Sequence, residues 1–278
     1  MESGFVSDES LCLVPEGLQT FHKSSGRFEF LKVRSEGALY FVKRPSHAYR
    51  NDLLTLTSLH KEFYLGRMLD HPSIVKYIKM EDDEIYEEYI DGLSLREMID
   101  NRDIRVRTPE YIEKICRQLL DATSYMHSKR IVHNDIKPEN IMITRIGEQL
   151  KLIDLGCATT DMWDVAEGFT PSCKAPEQGV APTNIHTDIY LVGKLMAELA
   201  PLAGVGEKWE EFIKRATFKV PKFRYTTDQD ALRGIPKRGT WSELGCAFII
   251  LAGPFLSSIL YYYGLFDFLK WLITKIFF

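Results

Sequence analysis

The stretch "IVHNDIKPENIMI", residues 131–143, decides how this chain is read. His133, Asp135, Lys137 and Asn140 fall within eight residues, and apolar segments flank them on both sides. Eleven positions after Ile143, the apolar run in "KLIDLGCA" delivers Asp154 directly before a Leu-Gly turn. An amide oxygen from Asn140 and a carboxylate from Asp154 meeting at such a loop suit Mg²⁺, a hard cation that prefers oxygen ligands. Asp135 is then left to act as a base. A turn that is merely rich in polar residues explains any one of these side chains but not the ordered set.

The rest of the chain supplies a frame for that loop. "RFEFLKV" and "ALYFVKR" are β-rich runs broken by "KSSG" and "SEG", and "IVKYIKM" and "EIYEEYI" read as two further strands. Between these pairs, "LTSLHKEFYLGRMLD" has apolar residues at helical spacing. Helical patterns dominate after Asp91-Gly92: "SLREMID", then "TPEYIEKICRQLLDATSYMHS", which opens on a Thr-Pro start signal. The expected fold is therefore α+β and bilobal, with a β-rich N-terminal lobe and a helical C-terminal lobe.

In this order and spacing, the motifs resemble the catalytic core of the eukaryotic-type protein kinases, over roughly residues 18–235. "HNDIKPEN" resembles the catalytic loop, "DLG" the metal-binding D-F-G turn, and Ala175-Pro176-Glu177 the A-P-E that closes the activation segment. "YFVK" ending in Lys43 resembles the strand lysine motif, Glu62 its helical partner 19 residues on, and "EEYIDG" the hinge that holds adenine. The resemblance implies ATP and Mg²⁺ as cofactors and the Ser and Thr hydroxyls of protein substrates as acceptors. It implies that Asp135 orients the attacking hydroxyl and that Lys137 offsets charge on the transferring phosphoryl group. Asn140 and Asp154 are then the metal ligands. Lys43, held by Glu62, pairs with the phosphates, while Gly26, Lys23, Glu88 and Tyr89 line the nucleotide site. His133 is expected to be structural, Asp188 to brace the catalytic loop, and Glu177 to pair with Arg224. Lys137, and Thr170 seven residues before Glu177, favour Ser/Thr over Tyr as the acceptor.

Four departures from the family pattern stand out. Asn134 replaces the arginine of H-R-D, which in the family reads a phosphate on the activation segment; asparagine carries no charge to do so. Activation through that phosphate is therefore not expected. Of the three glycines of the phosphate loop only Gly26 remains, with Phe21 and Lys23 at the other positions. Glu87 falls where the pocket behind adenine is gated, either paired with Lys43 or facing water. Only 30 residues separate Gly193 from Arg224, so the helical lobe is expected to be short. The lost glycines and Glu87 keep a second reading open, a pseudokinase that binds nucleotide without efficient transfer. A small-molecule phosphotransferase is a third.

The remaining features concern location. The 278 residues carry a net charge of −4, which gives no reason to expect nucleic acid as a partner. Five cysteines without a C-x-x-C pair argue against a disulfide framework or zinc site. "MESGFVSDES" is acidic and lacks the apolar core of a signal peptide. Residues 244–266, however, run 23 positions without a charge, long enough for one membrane crossing. Lys237 and Arg238 before the run favour a cytoplasmic kinase domain. The expected organisation is a tail over 1–17, the two lobes over 18–90 and 91–236, a linker over 237–243, a transmembrane segment over 244–266 and a short amphipathic tail over 267–278.

Overall fold

The computed structural model describes residues 26–35, 37–160 and 174–236, the backbone of Leu18–Gln19, and scattered positions between 264 and 275. It divides into two units, Met1–Ile235 and Pro236–Phe278. The expected span over 244–266 and the linker before it lie outside the described residues, apart from Gly264. Among the described residues no helix is long and apolar enough to cross a membrane.

The first unit begins with a five-stranded antiparallel sheet: β1 (Leu18–Gln19), β2 (Phe28–Ser35), β3 (Ala38–Pro45), β4 (Tyr77–Glu81) and β5 (Glu84–Glu88), in the order β1-β2-β3-β5-β4. β4 and β5 are joined by Asp82-Asp83, both left-handed at φ 48° and 59°. That is the geometry a two-residue hairpin turn needs to match strand twist. Cross-strand partners share a face and alternate residues switch faces. The register Phe30↔Lys43 and Lys32↔Phe41 therefore puts Phe28, Phe30, Lys32, Phe41 and Lys43 on one side. Phe41↔Glu87 and Tyr77↔Glu87 add Glu87 and Tyr77 to it.

Helix α1 (Leu53–Arg67) packs against this side. Asp52 caps it by accepting the Thr55 N–H at 2.9 Å. Its buried positions, Thr55, Leu59, Glu62 and Leu65, recur at helical spacing, so the periodicity that buries the leucines also turns Glu62 inward. Gly66 lets α1 approach β4: a Cβ there would sit 2.2 Å from the Tyr77 ring.

The helical lobe holds α2 (Leu95–Asp100), α3 (Pro109–Ser128), α4 (Ile185–Leu202), α5 (Gly206–Ala216) and α6 (Asp228–Gly234). α2 starts with a capping box between Ser94 and Glu97, and α3 starts at the expected Thr-Pro. α3 buries Ile112, Ile115, Cys116, Leu119, Leu120 and Met126, the stripe its sequence predicts. Two small sheets complete the lobe. β6 (Gly92–Ser94), β8 (Ile141–Thr144) and β9 (Leu150–Leu152) form one; β7 (Ile131–Val132) and β10 (Thr159–Thr160) form the other. One apolar core runs from Leu59 in α1 to Ile235, so the two lobes share it. Between α4 and Arg224 the only α-helix is α5, which accounts for the short interval noted above.

Candidate active site

The flanking segments of the opening stretch are β7, buried throughout, and β8, which buries Ile141 and Ile143, and they deliver residues 133–140 as a loop at the junction of the lobes. Asp188 at the start of α4 shapes that loop. Its carboxylate accepts the backbone N–H groups of His133 (2.8 Å) and Asn134 (2.9 Å) and bonds His127 Nε2 (2.9 Å). His127 bridges onward from α3 to Asp228 at 2.6 Å. Burial alone would lower the His127 pKa, but these two carboxylates outweigh it and raise the value to about 9. His133 is fully buried; its Nδ1 accepts the Asp135 N–H at 3.3 Å and its Nε2 lies 3.2 Å from the Ile153 carbonyl. The ring therefore supports the loop from behind, the structural role expected of it.

Asp135 is held from two sides. Lys137 Nζ lies 2.6 Å from its Oδ2, and Asn140 Nδ2 donates to the same oxygen and to the Asp135 carbonyl, each at 2.9 Å. Using its amide nitrogen in this way leaves Asn140 its amide oxygen, the atom a hard cation takes.

The second half of the site comes from the sheet and α1. Lys43 Nζ donates to both oxygens of Glu62, at 3.0 and 2.7 Å, and to Asp154 Oδ1 at 3.0 Å. Two groups separated by 111 positions thus meet directly. Burial opposes the charge on Lys43, but Asp154 and Glu62 outweigh it and hold the amine protonated. Burial would likewise raise the Asp154 pKa; Lys43 and the Gly156 N–H pull it down to about 2. Asp154 sits at φ +64° two positions beyond the end of β9, in the left-handed region that aspartate tolerates better than most residues. Burial first, with Asp135 and Asp154 nearby, pushes the adjacent Cys157 thiol up to about 12, so it stays protonated.

Other nominated residues divide. Gly26 is exposed at φ +71°, a conformation that favours glycine, and its carbonyl accepts the Ser46 hydroxyl at 2.8 Å. Glu88 turns away from Lys43: Lys151 Nζ (2.6 Å) and the Lys76 N–H (3.0 Å) hold its side chain, so any contact it makes with a base falls to its main chain. Tyr89 lies beneath Lys32, whose Nζ is 4.4 Å from the ring centroid. Lys23 and Thr170 lie outside the described residues. Glu177 and Arg224 form the expected bidentate pair at 2.7 and 2.8 Å, with Arg224 fully buried.

Tyr77 and Gln178 carried no signal in the sequence, and the partners of Asn134 could not be read from it either. The Tyr77 hydroxyl donates to Glu62 at 3.2 Å and accepts the Leu155 N–H at 3.3 Å, tying α1 to the turn that carries Asp154. Asn134, at φ +67°, donates from its amide to Thr159 Oγ1 (2.9 Å) and the Cys157 carbonyl (3.1 Å). Gln178, just beyond Glu177, donates to the Asn134 carbonyl at 2.7 Å. Those partners lie 15 to 78 positions apart, too far for any local pattern to record.

Comparison with known proteins agrees with this geometry. The family model described as "Protein kinase domain" matches residues 25–230. The serine/threonine-protein kinase PknG of Mycolicibacterium smegmatis is 32% identical over 188 residues, which is 58% of this chain and 24% of that protein. PrkC of Bacillus subtilis, also a serine/threonine-protein kinase, is 29% identical over 260 residues, 74% of this chain and 39% of its own length. Mitogen-activated protein kinase kinase kinase 3 of Arabidopsis thaliana is 31% identical over 164 residues, 56% of this chain and 26% of that protein. The matched region is thus well under half the length of each of these relatives.

Proposed function

This chain belongs to the protein kinase domain family, and on that premise we propose that it transfers the γ-phosphate of ATP to Ser or Thr hydroxyls of protein substrates. The observation that carries the reading is the convergence of Lys43, Glu62 and Asp154 on one side and Asp135, Lys137 and Asn140 on the other. The donor set fits Mg-ATP: one carboxylate and one amide oxygen for a hard cation, and two ammonium groups for phosphates. Bound Mg²⁺ supplies neutralisation of phosphoryl charge. Glu62 and Tyr77 hold Lys43 where it can meet phosphate oxygens. Asp135, aligned by Asn140, receives or orients the proton of the acceptor hydroxyl, and Lys137 stands beside it to offset developing negative charge.

A second reading, nucleotide binding without efficient transfer, draws on one specific observation. Three phenylalanines, Phe28, Phe30 and Phe41, share the face of the sheet that carries Lys43. Mixing the purified chain with Mg-ATP and protein substrate separates the two. Phosphate incorporation lost in Asp135→Ala supports the kinase; ATP binding with no incorporation supports the second reading. Loss of the base is expected to reduce turnover by about 10²–10⁴-fold.

The uncharged run 244–266 supports a membrane tether, with the kinase domain on the cytoplasmic face after Lys237 and Arg238. Such a tether raises the effective concentration of membrane-bound substrates. The full chain is then expected to sediment with membranes through an alkaline wash and to be released when 244–266 is deleted. Recovery of the intact chain in the soluble fraction would refute the tether.

A further inference from the structure

The helical lobe carries apolar side chains that its core does not use. Between α5 and α6, Phe218, Val220 and Phe223 are 43%, 42% and 55% exposed within one short loop. The loop is nevertheless fixed from inside. The buried Arg224 guanidinium that holds Glu177 also donates to the carbonyls of Phe218 at 2.8 Å and Lys219 at 3.3 Å. Pro221–Phe223 forms a 3-10 turn, and the two phenylalanine rings meet edge to face at 5.3 Å between centroids. A backbone bonded inward with its rings left outward forms a ready contact surface, and exposed apolar clusters of this kind mark interaction sites.

The charge of this loop is one-sided. From Phe212 to Thr227 the cations are Lys214, Arg215, Lys219, Lys222 and Arg224, with no acid among them, in a chain whose net charge is −4. Arg215 and Arg224 are taken by Asp230 and Glu177, whereas Lys214, Lys219 and Lys222 are exposed. Lys222 Nζ stands 5.2 Å from the centre of the Phe223 ring. Aromatic and aliphatic tips beside lysines suit the boundary of an anionic bilayer. The rings enter the acyl region there, and the ammonium groups stay among the headgroup phosphates.

The course of the chain brings such a surface within reach. Gly234 lies so close to Tyr225 that a Cβ on it would collide with the phenol oxygen, and Tyr225 is two positions from Phe223. The first unit therefore ends, at Ile235, beside this loop. Eight residues, 236–243, separate Ile235 from the uncharged run 244–266, and eight residues extend at most about 29 Å. A unit of this size is roughly 45 Å across, so the side remote from Ile235 cannot reach a membrane crossed by that run. Resting on the tether proposed above, we infer that Phe218, Lys219, Val220, Lys222 and Phe223 form a docking face for the anionic surface of the membrane that holds the chain. Docking there keeps the kinase domain in one attitude beside the bilayer, where a linker alone would let it swing.

The test uses the full chain in vesicles of phosphatidylcholine and phosphatidylserine at about 7:3. The photo-crosslinking residue p-benzoylphenylalanine replaces Phe223, Val220 or Tyr64 in turn. Tyr64, 67% exposed on α1 in the other lobe, is the control, and Val220 is a second position should the change at Phe223 disturb folding. Irradiation should attach lipid at 223 and 220 and leave 64 nearly unlabelled. Changing Lys219 and Lys222 together to Glu should cut the yield at 223 about fivefold or more, since a single cation near an anionic surface accounts for that factor. Equal labelling at all three positions, in a chain that resists alkaline extraction, overturns the docking face and leaves the tether standing. A chain that alkali extracts overturns both. Adducts to a second copy in place of lipid make the face a protein contact and overturn the inference as well.

Discussion

Asn134 exchanges a long charged arm for a short neutral pin. Its amide reaches Thr159 and the Cys157 carbonyl, while Gln178 reaches its carbonyl oxygen from beyond Glu177. One residue therefore touches both ends of the segment between Asp154 and Glu177 without any added phosphate. Asparagine also tolerates the left-handed φ of +67° at that position better than most residues. Two outcomes are expected. Phosphatase treatment should leave activity unchanged in a radiolabel transfer assay; a large activity gain on segment phosphorylation would contradict this. Asn134→Ala should lower unfolding free energy by about 1–2 kcal/mol, because it removes the donor to the Cys157 carbonyl and one of the two partners of the Thr159 hydroxyl, and leaves a small void.

α1 and β4 are coupled through Tyr77. The Tyr77 hydroxyl joins Glu62 to the Leu155 N–H, and the ring fits only because residue 66 is glycine. Tyr77→Phe should cost about 1 kcal/mol of stability and lower kcat more than the affinity for ATP, since Glu62 loses a support but keeps Lys43. Gly66→Ala should cost about 1–3 kcal/mol by overpacking. Calorimetric melting read beside steady-state rates checks both, and a Tyr77→Phe enzyme with unchanged kcat would remove the coupling role. α3, α4 and α6 are joined by the chain Asp188–His127–Asp228. With the His127 pKa raised from 6.5 to about 9, the stability it contributes is fully present below pH 6.5 and is lost as pH rises through 9. The full effect is up to about 3 kcal/mol. Urea unfolding at intervals between pH 6 and pH 10 should show that decline, and His127→Gln should flatten it; parallel curves for the two proteins would refute it.

Across the two lobes, one shared apolar core carries the sheet and the helices, and the bidentate pair between Glu177 and Arg224 closes the helical side. Removing one partner of such a buried pair strands the other charge, which typically costs about 3–5 kcal/mol. Arg224→Met should therefore destabilise the unit as a whole, with the loss read as a single lowered melting transition. A variant that melts with the unaltered protein would show that the pair contributes nothing.

The order of motifs along the chain was enough to read a bilobal α+β fold, because strand alternation, helical periodicity and the Thr-Pro start of α3 are local signals written into neighbouring residues. It was also enough to nominate Lys43, Glu62, Asp135, Lys137, Asn140 and Asp154, whose chemistry and spacing recur as a set. It could not orient side chains. The outward turn of Glu88 toward Lys151, the Tyr77 bridge and the two-ended hold of Asn134 all depend on strand register and on contacts between distant segments. A single position of register reverses which face a residue occupies, and only the packed fold sets that register. The residue types were thus legible from one dimension, whereas their hydrogen-bond partners were settled by three.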